Sequence, residues 1–402
     1  MKFTRRHIMA ASAASMAMPY VARAASADPI LIGEINSYST FPTFTIPYRN
    51  AMNMAVDEIN SKGGIKGRPL KLITKDDAAN PQSAIRAATD LVRSERVNVL
   101  AGGFLSNVGL ALSSFAKHEK VLYVASEALA NEITWRDGNA NTFRLTPSTY
   151  MLVAMMIDDA AKLPATRWAT VAPNYSYGTS AVNTFKELLK AKRPDVTFVA
   201  EQWPTLDQID APATVAALEA AKPDGIFNAT FSSDLVAFVR QGNTTGLFKN
   251  RSVVSLLTGE PEYLDSLGSD TPTGWIVTGY PGAAYKAPEN IAFVDTFKSH
   301  FNADPDWGAV IGYSLIHSIA AGLARSKNLS LTAMEQGFSG AVFPTPFGDC
   351  KYRTLDHQST LGAFVGKLAQ QDGKGVMVDF RYVSGTAVMP SDSFVEALRP
   401  QS

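Results

Sequence analysis

Short apolar runs recur along this chain, and stretches with apolar residues at helical spacing fill the gaps between them. Pro29-Ile30-Leu31-Ile32-Gly33 predicts a first buried strand. Residues 48–61 predict a helix, because Ala51, Met54, Ala55, Val56 and Ile59 share one face; it stops at Lys62-Gly63-Gly64. Strands at 70–74, 98–101, 121–125 and 143–145 follow, with helices opening at Asn80-Pro81 and spanning 108–118. A second series begins after Thr146-Pro147: strands at 168–172, 195–200, 225–229 and 253–257 alternate with helices at 180–191, 214–221 and 235–241. Strands alternating with helices in this way make βαβ units and parallel sheets covered on both faces. Two such series predict an α/β fold of two doubly wound lobes. The last third breaks the pattern. Helices are expected at 291–301, 310–324 and 331–337, then alternating segments at 362–366 and 376–383 that read as strands closing a sheet edge.

The first 27 residues have a different character. Arg5-Arg6 stands directly before an Ala/Met-rich apolar run from Ile8 to Pro19, and small residues follow at Ala22-Arg23-Ala24 and Ala25-Ser26-Ala27. This is the layout of a secretory signal peptide, cleaved near Ala24 or Ala27. The paired arginines match the twin-arginine type, with ordinary secretion as the alternative and a plain N-terminal helix as the bland one. The run is too short for a membrane anchor, which needs about 20 residues. Removing Lys2, Arg5, Arg6 and Arg23 from 37 basic residues leaves 33 against 37 acidic ones. That balance argues against a nucleic-acid partner, which needs a basic face. Cys350 is the one cysteine, so no internal disulfide is possible; it reads either as a reactive thiol or as a small buried residue near a strand.

Catalytic signatures are sparse. His7, His118, His300, His317 and His357 have no metal-ligand spacing, and no catalytic or phosphate-loop motif is present, so neither metal nor cofactor is expected. Gly63-Gly64-Ile65-Lys66-Gly67 follows a helix and reads as a turn rather than a phosphate cradle. Asp76-Asp77 reads as a metal or acid/base pair, or as carboxylates that order a loop at a strand end. Asp158-Asp159 reads as a solvated helix face. Binding is better supported. Ser37-Tyr38-Ser39-Thr40-Phe41, Gly102-Gly103-Phe104-Leu105-Ser106-Asn107, Ser126-Glu127-Ala128 and Asn174-Tyr175-Ser176-Tyr177-Gly178 follow strands and are rich in hydroxyls, amides and aromatics. Open α/β sheets bind ligands at such strand ends, where helix N-termini offer free N–H groups. Ser106 reads as an N-cap, alone or with a ligand contact besides.

Residues 55–67, Asp76-Asp77 with Asn80-Pro81, Asn174-Tyr175-Ser176-Tyr177-Gly178, Thr345-Pro346-Phe347-Gly348, Tyr352-Arg353 and Asp356-His357-Gln358 together resemble the type I solute-binding proteins of ABC importers, branched-chain amino-acid branch. The resemblance covers essentially the whole chain after the leader. It implies a periplasmic, monomeric, non-enzymatic protein with two lobes joined by three crossings: residues 28–147 with about 279–349, and 148–278 with about 350–402. It implies a small-molecule solute held between the lobes and delivered to permease subunits in the inner membrane. The loop of Ser106 and Asn107 would hold a ligand carboxylate, and the loop of Ala128 and Leu129 would complete that site. Leu129 stands where a leucine-binding relative has Thr. Tyr177 would cover the solute, Glu260 would receive an α-ammonium group, and Phe44 would line the cleft; Phe104, Tyr175 and Phe231 would make it more aromatic. Glu260 favours an amino acid, whereas Leu129 and the aromatic walls favour an aromatic carboxylate. Urea or short amides are a third solute class. A sensor domain for a signalling receptor is the alternative outside transport, and an enzyme would need a nucleophile–base pair or metal set.

Overall fold

Ile30, Ile32 and Ile35 are buried, and both faces of strand β1 (Ile30–Asn36) are covered, which makes it a central strand. A computed structural model describes residues 28–399, so the signal-peptide reading lies outside the described residues. In the first sheet β1 is joined by β2 (Leu70–Asp76), β3 (Val99–Gly102), β4 (Leu122–Ala125) and β5 (Thr142–Arg144). All pairings are parallel, in the order β2-β1-β3-β4-β5. Helices α1 (Pro42–Ser61), α2 (Pro81–Thr89) and α3 (Ser106–Glu119) make the crossovers.

The chain then leaves for a second sheet. Its parallel part holds β6 (Arg167–Val171), β7 (Thr197–Gln202), β8 (Gly225–Asn228), β9 (Ser252–Gly259) and β10 (Ile276–Gly279). Helices α4 (Thr149–Ala161), α5 (Ser176–Lys192), α6 (Ala211–Ala221), α7 (Ser232–Thr245) and α8 (Pro261–Leu267) cover it. After β10 come α9 (Pro288–Phe301), α10 (Trp307–Arg325), α11 (Leu331–Phe338) and the hairpin β11 (Val342–Thr345) with β12 (Gly348–Lys351). The chain finally returns as β13 (Ala363–Gln371) and β14 (Lys374–Val383), followed by α12 (Gly385–Val388) and α13 (Asp392–Leu398). These last strands are antiparallel and extend the second sheet at one edge, giving β14-β13-β10-β9-β8-β6-β7. The α/β fold of two doubly wound sheets and the closing edge strands match the sequence reading.

Element boundaries differ from it in specific places. Helix α1 starts at Pro42, not at residue 48, and takes Pro47 inside it. Pro47 removes one intrahelical bond, but the helix is held by close packing on α10. A Cβ on Gly312 would lie 2.1 Å from the Tyr48 carbonyl oxygen, so only glycine permits this backbone approach. Helix α7 likewise begins at Ser232 rather than 235. Strand β10 and the β11–β12 hairpin were not anticipated. Helix α10 is long and apolar enough to cross a membrane by length and composition, yet 83% of its most apolar stretch is buried, and it serves as a core helix. Cys350 is buried in β12, and burial pushes its thiol up to about 11, which fits the inert reading. Residues 63–68 are a turn closed by an Ile65–Arg68 bridge. Asp77 Oδ1 accepts from Ser37 Oγ (2.7 Å) and Ala79 N (2.8 Å), and Asp76 Oδ1 from Ala78 N (3.0 Å), so this pair orders its loop.

The end of β5 and the segment before β13 run side by side, joined by a parallel Arg144–Gln358 bridge. Arg144 N donates to the His357 carbonyl and Ser359 N to the Arg144 carbonyl. Arg144, fully buried, also donates from Nε to Gln358 Oε1 (2.6 Å), from Nη1 to the Ala130 carbonyl (2.5 Å) and from Nη2 to Thr134 Oγ1 (2.9 Å).

Candidate ligand-binding site

In each sheet the strand order reverses beside the first strand, at β1/β3 and at β6/β8. These reversals open a crevice at the carboxyl ends of the strands, where ligands of open α/β sheets bind. The two crevices face one another across a single cavity. It lies between the two sheets, opens to solvent, and is lined mainly by apolar and aromatic side chains with a few polar groups, the make-up of a small-molecule site. Nearly every strand end of both sheets contributes to it: Ser106 after β3, Glu127 after β4, Thr146 after β5, Tyr177 after β6, Phe231 after β8 and Glu260 after β9.

The first wall depends on a tight turn. Gly102 (φ 107°) ends β3 and Gly103 (φ 87°) follows it, and a Cβ on Gly102 would lie 2.1 Å from the Ile35 carbonyl oxygen. The turn delivers Phe104 and Ser106 to the cavity. Ser106 is the first residue of α3, not its N-cap. The cap position is Leu105, which makes no side-chain cap, so the capping role expected of Ser106 is corrected. Its Oγ instead accepts from Leu129 N (3.1 Å) and Ala130 N (3.0 Å), stapling two cleft loops together. With both acceptor positions used, the hydroxyl proton is left to donate elsewhere. Leu129 and Phe44 also line the cavity. Asn107 and Ala128 are not on its lining. Asn107 Oδ1 turns back to Val108 N (3.0 Å), and Ala128 is buried against Gly109 of α3.

The second wall carries Tyr175, Tyr177, Phe231 and Glu260. Leu257 sits in the left-handed region (φ 65°), costly for so bulky a residue. Its N–H donates to Thr278 Oγ1 (2.8 Å) and its carbonyl accepts from Glu260 N (2.9 Å), which turns Glu260 into the cavity. Aromatic rings bridge the walls: Phe104 lies 5.0 Å from Phe44 and 6.0 Å from Phe231, and Phe231 lies 5.8 Å from Tyr177. Helices α3, α5, α7 and α8 all open here without a side-chain cap, whereas α2, α4, α6 and α11 are capped by Asn80, Ser148, Asp210 and Ser330. Their first-turn N–H groups lack intrahelical partners and favour negative charge.

Glu127 and Glu260 are the charged residues lining the cavity, and no lysine, arginine or histidine lines it among the described residues. Burial pushes the Glu260 carboxyl well above its ordinary value, and Glu262, Asp306 and Glu127 add to the shift. Burial does the same to Glu127, reinforced by Glu34. Glu127 Oε2 accepts from Asn36 Nδ2 (3.3 Å), while Oε1 has no hydrogen-bond partner; the buried Tyr177 hydroxyl also lacks one. A buried carboxylate wants a cation. Among the described residues no cluster of three or more His, Cys, Asp or Glu could hold a metal ion. Glu127, Tyr263 and Trp307 are lining residues that sequence reasoning missed. Glu127 lay within a loop already singled out and Tyr263 lies three residues after Glu260, in the first turn of α8, whereas Trp307 begins α10, remote in sequence, and gave no local signal.

A family model described as periplasmic binding protein matches residues 30–374. A Leu/Ile/Val-binding protein homolog 7 of Brucella abortus (strain 2308) is 28% identical, covering 93% of this chain and 96% of the relative. Among solved structures, a solute binding protein of an ABC transporter from Rhodopseudomonas palustris BisB5, in complex with 3,4-dihydroxybenzoic acid, superposes with a TM-score of 0.79 at 23% identity. It covers 89% of this chain and 98% of its own. A leucine-, isoleucine-, valine-, threonine- and alanine-binding protein from Brucella ovis, in a closed conformation, gives 0.78 at 21% identity, with coverages of 91% and 97%. These structures share the type I periplasmic binding fold with this chain.

Proposed function

This chain belongs to the periplasmic binding protein family, and from that premise we propose that it captures a branched-chain or other hydrophobic amino acid for an ABC importer. Proteins of this family work outside the cytoplasm, bind small solutes and deliver them to permease subunits. The amino-acid reading rests on one observation: Ser106 and the open N-terminus of α3 face Glu260 across a single cavity with aromatic walls. Ser106 would donate to the carboxylate, Glu260 would take the ammonium, and Tyr177 would cover the side chain. The lobes are read as residues 28–147 with about 279–349, and 148–278 with about 350–402, acting as a monomer. Calorimetry with leucine and phenylalanine tests the reading; binding of neither would defeat it.

The linked rings of Phe44, Phe104, Phe231 and Tyr177 support a second reading, an aromatic carboxylate without an amine. Benzoate and 3,4-dihydroxybenzoate belong in the same titration series. Export is read as twin-arginine. The double substitution Arg5→Lys with Arg6→Lys should leave precursor in the cytoplasm, and its normal delivery to the periplasm would reject that route.

A further inference from the structure

We propose that the solute's cationic group is gripped from both sides, by Glu260 of one lobe and Glu127 of the other, so that an amine is the obligatory feature of the ligand. The proposal rests on the amino-acid reading above and adds a second carboxylate to it. Glu127 stands on the loop after β4 of the first sheet, and Glu260 on the turn after β9 of the second. Both line the same cavity. Glu127 is 6% exposed and Glu260 3%, and Glu127 Oε1 is unpartnered there. Glu260 makes no side-chain hydrogen bond among the described residues.

Burial and the neighbouring carboxyls leave both groups protonated while the cleft holds no cation, and no basic side chain lines the cavity to change this. Glu34 and Asp77 act on Glu127, Glu262 on Glu260, and Asp306 on both. A positive charge between the pair favours their ionised forms and bridges the lobes. The occupant is organic rather than a metal ion: among the described residues no cluster of three or more His, Cys, Asp or Glu could hold one, and Phe44, Phe104, Phe231 and Trp307 line the same cavity. Aromatic faces themselves attract an ammonium group. The same arrangement selects against a solute whose sole charge is a carboxylate, which brings no cation to the pair and raises both carboxyls further.

The test is calorimetry with two matched sets: leucine, 4-methylpentanoate and 3-methylbutylamine; and phenylalanine, 3-phenylpropanoate and 2-phenylethylamine. Wild type, Glu127→Gln and Glu260→Gln are compared, both changes being isosteric. The proposal expects the amino acids to bind and each substitution to weaken them at least tenfold. The deaminated acids should bind more tightly to Glu127→Gln than to wild type. That opposite response is one a merely structural Glu127 would not produce. Amino-acid binding lost in Glu260→Gln but unchanged within twofold in Glu127→Gln overturns this proposal and leaves the amino-acid reading standing. Wild-type binding of the deaminated acids alone, or of none of the six, overturns both.

Discussion

Arg144 and Gln358 tie together two of the crossings between the sheets, through a 2.6 Å bond from Nε to Oε1 in which both side chains are buried. The same guanidinium fixes the loop of Leu129 and Ala130, so one side chain links the crossings between the sheets to a loop at the cavity. Arg144→Ala would strand the Gln358, Ala130 and Thr134 acceptors in the interior. It should cost about 3 kcal/mol or more. Arg144→Lys should not restore this, because one ammonium cannot serve three directions in a plane. Urea denaturation of the three proteins measures the difference; a loss below about 1 kcal/mol for the alanine variant would deny Arg144 this role.

Ser106→Ala removes both the donor offered to the cavity and the acceptor for Leu129 N and Ala130 N. Losing a hydrogen bond to a charged group costs about 1.5 to 3 kcal/mol, so affinity for the bound amino acid should fall roughly tenfold to a hundredfold. Unchanged affinity by calorimetry would move the carboxylate away from α3.

Glu34 gives a pH dependence with a definite sign. Burial lifts its carboxyl from 4.5 to about 8, against the hydrogen bond from Tyr38 (2.6 Å). The folded protein therefore keeps a proton that the unfolded chain gives up above pH 4.5. Its contribution is full below that value and is lost as pH rises through about 8, by at most about 1.4 kcal/mol per pH unit. Melting curves of wild type should fall across this window relative to Glu34→Gln. Parallel curves for the two proteins would contradict the shift.

A solute that touches both lobes binds the closed arrangement better and should shift the population toward it. Opening breaks the Phe104–Phe231 contact at 6.0 Å. Small-angle scattering should show a smaller radius of gyration with saturating ligand than without. An equal radius in both states would argue for a rigid cleft.

Much of this architecture was legible in the alternation of apolar runs and helical faces, because buried parallel strands leave continuous apolar segments. Helix starts were less so. Helix α1 opens with Pro42 and Thr43, and α7 with Ser232 and Ser233, polar or helix-neutral residues that announce no period. The aromatic wall could be read from residues 104, 175, 177 and 231, since each follows a strand. The capping bond expected of Ser106 was wrong, because its partners at 129 and 130 come from the next crossover. Glu127 was legible only as part of a candidate loop for a similar reason: the carboxyl it shares a cavity with, Glu260, is on another sheet.

The buried thiol of Cys350 has a practical consequence. With one cysteine in the chain, 4% exposed and reluctant to ionise, maleimide chemistry at neutral pH should leave the native protein unmarked. Cysteines introduced on the rims of the two lobes would then be the sole labelled positions. A fluorophore pair there would turn lobe closure, where the solute causes it, into an optical signal for that solute.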